Sequence, residues 1–219
     1  MSSAAPNFDG LARSYRALEF LAFGRDLERA RFCLLGRLAG CRDILVLGEG
    51  DGRCLARLVR AAPLARIRCV DASGAMLARA AARLTDPADR ARVTFEQGDA
   101  LALDLPAGRH DAVVTLFFLD CLLPDQVERL VARVQGALRP GASWLWADFA
   151  VPAGWRRGPA RAALRLLYFF FRWQTGLPAR ELPPAEAMLG RAGFRREDAR
   201  EFRGGFIRAA LLRGPAPRP

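Results

Sequence analysis

The 219-residue chain reads as one α/β domain, a mostly parallel seven-stranded sheet between two helical layers, with its last strand antiparallel. Three observations predict this. Between Asp43 and Ala147, apolar runs of strand length alternate with stretches of helical spacing, the pattern of a parallel sheet with helices on both faces. The first of these strands runs straight into a glycine-laced turn, Gly48-Glu-Gly-Asp-Gly52, and then a helix. Near the end, two β-like segments meet at Arg203-Gly-Gly205, which reads as a hairpin turn and so makes the final strand antiparallel.

The elements follow in order. Phe8 to Leu38 is helical in pattern, with a break at Gly24. Asp43–Leu47 is a short buried strand, and Cys54–Arg60 has the spacing of a helix. Arg66–Val70 is a second strand ending at Asp71, followed by an Ala- and Leu-rich helix from Gly74 to Leu84 with arginine on its outer positions. Val93–Gln97 alternates as a third strand and ends before Gly98-Asp99; Asp111–Leu116 is a fourth, apolar enough to be central. Pro124 suits the first turn of a helix running to Leu138. Arg139-Pro-Gly141 is a turn, and Ser143–Ala147 is a fifth strand closed by Asp148. Helices are expected over Arg161–Trp173 and Pro184–Ala192, then the hairpin strands Phe194–Phe202 and Phe206–Leu212.

Composition narrows the class. Hydrophobic residues make up 52% and charged residues 26%, a globular mixture that excludes a largely disordered chain. No apolar run reaches the roughly 18–20 residues needed to span a bilayer. The opening MSSAAPNFDG lacks a basic stretch followed by an apolar core, so no secretory signal is expected there. The five cysteines are scattered with no C-x-x-C pair, which argues against a disulfide framework or zinc site and points to a reducing cytoplasm. The net charge is +11, and every basic residue except His110 is arginine. With Ala, Gly and Pro also abundant, codon drift in a GC-rich genome explains the charge more simply than an evolved nucleic-acid surface. The arginines are spread along the chain and form no basic block.

The glycine turn carries the strongest chemical signal. Gly48, Gly50 and Gly52 let the backbone turn sharply and approach a ligand closely. The helix that follows offers free N–H groups at its start. Three strands then end in a glycine turn, a carboxylate (Asp71) and a carboxylate (Asp99), and Asp71 is placed to accept hydrogen bonds from ribose hydroxyls. The dinucleotide pattern G-x-G-x-x-G is not met, because Arg53 stands where its last glycine belongs, so a nicotinamide cofactor is not expected.

With G-x-G-x-G, acid-ended second and third strands and a terminal hairpin, the chain resembles the class I S-adenosylmethionine-dependent methyltransferases from about Ile44 to Leu212. The resemblance implies a Rossmann-like three-layer sandwich. It implies that Gly48, Glu49, Gly50 and Gly52 hold the methionine part of S-adenosylmethionine and Asp71 its ribose. Ala72 and Met76 would flank the adenine, Asp99 would meet the adenine amino group with Ala100 beside it, and Phe117 and Phe118 would contact the cofactor. Tyr15 resembles a tyrosine that closes over the cofactor in this family. Residues 1–40 would be N-terminal helices over the cofactor site, and residues 41–219 the methyltransferase domain, with a helical lid inserted at about 155–192. One position departs from the family: Val46 stands where an acid usually precedes the first glycine, and either Glu49 or backbone carbonyls would then meet the cofactor amine.

The fourth strand ends Thr115-Leu-Phe-Phe-Leu-Asp-Cys121, without the Asn-Pro-Pro-Tyr-like motif of many base-modifying methyltransferases. The region is closer to the small-molecule enzymes of ubiquinone and menaquinone biosynthesis. The expected activity is methyl transfer to a small, apolar or aromatic acceptor. Nucleic-acid methylation and cofactor binding without turnover are the rival readings, and oligomeric state is open. Methyl transfer rests mainly on alignment, to which a base can be added. Asp120 is the first candidate for that base and Asp148 the second; the plain alternative for each is a solvated or helix-capping carboxylate. Arg161, Arg165 and Arg172 form one stripe on an otherwise apolar helix, which reads as a core helix, a lid over an apolar acceptor, or a contact with a membrane surface. His110, beside Asp111, reads as structural.

Overall fold

The computed structural model describes residues 24–175, 179 and 181–216. Its elements are α1 (Asp26–Phe32), β1 (Asp43–Leu47), α2 (Arg53–Ala61), β2 (Arg66–Asp71), α3 (Gly74–Arg83), α4 (Pro87–Ala91), β3 (Val93–Gln97) and β4 (His110–Leu116). They continue with α5 (Pro124–Ala137), β5 (Leu138–Phe149), α6 (Arg157–Thr175), α7 (Ala185–Arg191), β6 (Arg195–Phe202) and β7 (Ile207–Arg213). Of the expected N-terminal helices, residues 1–23 lie outside the described residues, Tyr15 among them; α1 and a 3₁₀ turn at Leu35–Leu38 represent the remainder.

The strands form one sheet in the order β3-β2-β1-β4-β5-β7-β6. β1 to β5 pair in parallel, and β7 runs antiparallel to both β5 and β6. The chain steps outward from β1 to β3, then returns to the other side of β1 with β4. The order therefore reverses between β1 and β4, where Leu47 stands opposite Thr115. Ligands of open α/β sheets bind outside the strand ends at such a reversal.

All five residues of β1 are buried, as expected for a strand covered on both faces. Ile44 and Val46 pack with Leu27, Leu55, Leu58 and Leu164 on one side. Leu45 and Leu47 pack with Val127, Leu130, Val134 and Leu189 on the other. Each such side chain contributes about 1.5–3 kcal/mol through burial. Deep in the sheet, Trp144 Nε1 donates to Thr115 Oγ1 at 2.8 Å. Several arginines are structural. Arg92 donates to the carbonyls of Val59, Ala62 and Ala65, closing the C-terminus of α2.

Two elements differ from the sequence reading. Asp86, which accepts from Ala88 N at 2.8 Å, and Pro87 at the first helical position start the short helix α4, in a stretch where no element was expected. Arg139-Pro-Gly141 is not a free turn but the start of β5. Leu138 pairs with His110, the ladder shifts register before Ala112, and Gly141 takes a φ of 70° with its N–H donating to Pro215 O.

Gly52 fixes the approach of α2 to α3. Its φ is 85°, and a Cβ there would stand 2.3 Å from the Ala80 Cα. Gly52→Ala combines left-handed strain with overpacking against backbone, and is expected to cost about 2–4 kcal/mol, read as a lowered urea midpoint at unchanged slope.

Candidate active site

Each glycine of the β1–α2 turn is required for a different reason. Gly48 (φ 69°) donates its N–H to Val70 O at 2.9 Å and lies against the Phe118 ring, whose Cδ2 would be 2.2 Å from an added Cβ. Gly52 serves the packing of α2 on α3. Gly50 (φ 69°) has no atom within 4 Å of where a Cβ would stand, so its backbone is presented bare to open space. Because the N-cap residue Gly52 has no side chain, Glu49 reaches forward instead, its Oε1 accepting from Leu55 N at 2.8 Å. Burial pushes the Glu49 carboxyl up to about 8, against the pull of that bond and of Arg31.

Asp71, at the end of β2, organises the turn. Its Oδ2 accepts from Gly50 N at 3.0 Å and its Oδ1 from Ser73 N at 2.9 Å. Ser73 in turn caps α3, its Oγ accepting from Met76 N. Ala72 is exposed and Met76 half-buried at the start of α3; the Ala72 carbonyl accepts from Gln97 Nε2. Gly98 N donates to Asp71 O, which sets the β3 end beside the β2 end. Asp99 is exposed, with Oδ1 accepting from Leu101 N at 2.9 Å, and Ala100 is buried behind it.

At the end of β4 the backbone turns over. Phe117 holds a φ of 55°, rare for an aromatic residue, and its N–H donates to Ala147 O at 2.7 Å. Its ring meets the Phe149 ring edge-on and carries the Arg31 guanidinium 4.8 Å from its centroid. Asp120 N donates to Asp148 Oδ2 at 3.1 Å, and the two carboxyls hydrogen-bond each other. Asp148 is 1% exposed; burial, then the charge of Asp120, holds its carboxyl well above the usual range. Burial raises Asp120 to about 6, with Cys121, Asp148 and Arg31 pulling it back. Of the two, Asp148 is held the further toward its protonated form. Tyr168 of α6 donates its hydroxyl to the Asp120 carbonyl at 2.9 Å, which docks that helix on the loop.

The glycine turn, Asp71, Asp99, Phe117, Asp120 and Asp148 thus all stand at one edge of the sheet, the C-terminal ends of β1 to β5. Electrostatic reach links them: Arg31 acts on both Glu49 and Asp120, and Asp71 acts on Cys121. Arg31 and Tyr168 were not among the sequence candidates. Nothing distinguishes Arg31 among so many arginines. Tyr168 did carry a signal, as a lone hydroxyl in the run Leu166-Leu-Tyr-Phe-Phe-Phe171.

Residues 44–141 match the protein family described as "Methyltransferase domain". Over those residues the chain is similar to methyltransferase domains. The chain is 30% identical to acetylserotonin O-methyltransferase of Mus musculus over 94% of its own length and 54% of that protein. It is 33% identical to demethylmenaquinone methyltransferase of Thermus thermophilus over 69% of its length and 64% of that one. It superimposes on the solved structure of the mitomycin 7-O-methyltransferase MmcR with a TM-score of 0.65 at 20% identity, covering 94% of this chain and 59% of that. The chain spans about half the length of the first of these relatives.

The residues present fit the methyl donor of this family. A bare backbone at Gly50 lies beside the Asp71 carboxylate, and Asp71, Asp99 and Asp120 make the strand ends complementary to a cationic sulfonium. The raised carboxyls also couple folding to pH. Glu49, Asp120 and Asp148 bind protons in the folded state that they release when unfolded. Stability from these groups is therefore fullest near pH 4 and is lost as pH rises through about 6 and about 8. The melting temperature of the ligand-free protein is expected to fall by several degrees between pH 5 and pH 9. Glu49→Gln is expected to flatten the upper part of that decline.

Proposed function

We propose that this chain transfers the methyl group of S-adenosylmethionine to a small apolar or aromatic acceptor at the end of β4, beneath α6. The observation that carries the reading is the juxtaposition of an Asp71-held glycine turn with the linked acids Asp120 and Asp148 at one sheet edge. Relatives named for acetylserotonin, demethylmenaquinone and mitomycin support a small-molecule acceptor.

When bound, S-adenosylmethionine supplies an electrophilic methyl on a sulfonium. The turn Gly48–Gly52 would hold its methionine part and Asp71 the ribose hydroxyls. Ala72, Met76 and Ala100 would flank the adenine, with Asp99 at its amino group. Glu49 is committed to Leu55 N, and Val46 is buried in the core, so backbone carbonyls and the Asp71 side of the turn are left for the cofactor amine. Arg31, which already faces Glu49 and Asp120, complements the methionine carboxylate. Asp120 takes the proton of the acceptor. Asp148 is buried away from the crevice; by donating its proton to the Asp120 carboxylate it fixes that group's direction and acts as a positioning residue.

Calorimetry is expected to show binding of S-adenosylmethionine and S-adenosylhomocysteine and none of NAD, with Asp71→Ala weakening both adenosyl compounds about 10–100-fold. On an acceptor panel of phenols and hydroxyquinones, Asp120→Asn is expected to lower kcat by about 10²–10⁴ without changing cofactor affinity. The wild-type rate should rise with pH through about 6 as Asp120 ionises, and the variant should lose that rise. Binding without transfer to any acceptor would instead assign a cofactor-binding role without turnover.

A further inference from the structure

The helix α6 has two unlike faces among the described residues, one buried and one exposed. Ala160, Leu164 and Tyr168 turn inward and are buried, with the Tyr168 hydroxyl fixed to the Asp120 carbonyl. That anchor sets the rotation of the helix and leaves Leu166 and Phe169 pointing outward, 71% and 72% exposed. Trp155, in the turn just before α6, is 82% exposed, with the Arg156 guanidinium 5.0 Å from its ring. These are the largest exposed apolar side chains among the described residues apart from Leu64, and they lie within one short segment. Such a patch marks a contact surface.

Along this segment the sequence carries charge of one sign. Between Asp148 and Glu181 there is no acidic residue and there are six arginines: Arg156, Arg157, Arg161, Arg165, Arg172 and Arg180. This seventh of the chain holds six of its eleven net positive charges. Elsewhere arginines are met by acids, as in Arg68–Glu96 and in Arg208 with Glu186 and Glu201. At helical spacing, Arg161, Arg165 and Arg172 make a stripe that borders the Ala162-Leu166-Phe169 stripe, and all six are exposed. No described helix is long and apolar enough to cross a membrane.

We propose that the outer face of α6, with Trp155, rests on an anionic lipid surface. An amphipathic helix with Phe, Leu and Trp beside an arginine row is built for the headgroup boundary, where the rings and aliphatic chains enter and the guanidinium groups stay with the phosphates. A second copy of this chain fits less well, because a two-fold contact through this face would set its arginines against their own copies with no acid to separate them. The same helix then touches lipid on its outside and the Asp120 loop on its inside, so a membrane-dissolved molecule would meet the sheet edge without crossing bulk water.

Vesicle flotation tests this without any methyl donor, so its outcome is independent of turnover. At about 50 mM salt the protein is expected to float with phosphatidylcholine vesicles containing about one third phosphatidylglycerol, and not with phosphatidylcholine alone. Arg161→Glu with Arg165→Glu should reduce the bound fraction at least about tenfold, and Leu166→Ser with Phe169→Ser at least about fivefold, all four positions being exposed and the melting temperature unchanged. Arg60→Glu with Arg195→Glu removes the same charge from exposed positions elsewhere and should leave binding within about twofold. The proposal is overturned if the protein stays with the soluble fraction on anionic vesicles, or if the control pair lowers binding as much as the α6 pair. It is also overturned if sedimentation shows a dimer that depends on Phe169 while flotation fails.

Discussion

One carboxylate ties the ligand edge of this protein together. Asp71 accepts Gly50 N with one oxygen and Ser73 N with the other, and so fixes the β1–α2 turn to the start of α3. Its own backbone carbonyl takes Gly98 N and aligns the end of β3. Three loop tips are therefore held by one residue on β2. Hydrogen bonds to an ionised group contribute about 1.5–3 kcal/mol each, roughly twice a neutral one, so these bonds outweigh most other contacts of the turn.

A second constraint runs along the other half of the edge. Asp120 and Asp148 lie close enough to hydrogen-bond, and two like charges at that distance in a buried setting cannot both persist. Burial, then the charge of Asp120, favours the protonated form of Asp148. Tyr168 and Asp148 together hold the backbone of Asp120, Asp148 accepting its N–H and Tyr168 donating to its carbonyl. Arg31 stands between this pair and Glu49, and keeps the edge from being uniformly negative.

Much of this was legible from residue order. The strand-then-glycine pattern at Leu45–Gly52 and the acid endings at Asp71 and Asp99 need only local sequence, because parallel strands bring their C-terminal ends to one edge whatever else the chain does. The Arg203-Gly-Gly205 hairpin was legible for the same reason, and its glycines take φ values of 64° and 89°. What escaped depended on contacts made far apart in sequence. Glu49 reads as a cofactor ligand, but with glycine at the N-cap its carboxylate is drawn onto Leu55 N. Arg139-Pro-Gly141 has every local mark of a turn, yet pairing with His110 and Pro215 incorporates it into β5. Asp148 reads as a second candidate base after Asp120, and only the packing around β5 buries it.

The arginine content shows why a net charge says little until it is placed. In the sheet body the guanidinium groups perform local tasks: Arg92 collects the last carbonyls of α2, Arg53 joins the glycine turn to Glu28 of α1, and Arg139 bridges Asp43 and Asp111 at the edge away from the site. Replacement of any of these changes structure before it changes the outside field. The segment after β5 has the same composition bias and a different outcome, because no acid is within reach in sequence and its inner face is occupied by apolar contacts and one tyrosine hydroxyl. Its arginines are left to water together with Leu166 and Phe169. A bias acquired across the whole chain thus becomes a stretch of one sign where the sequence interposes no acid, and here that stretch includes the back of the helix that contacts the Asp120 loop.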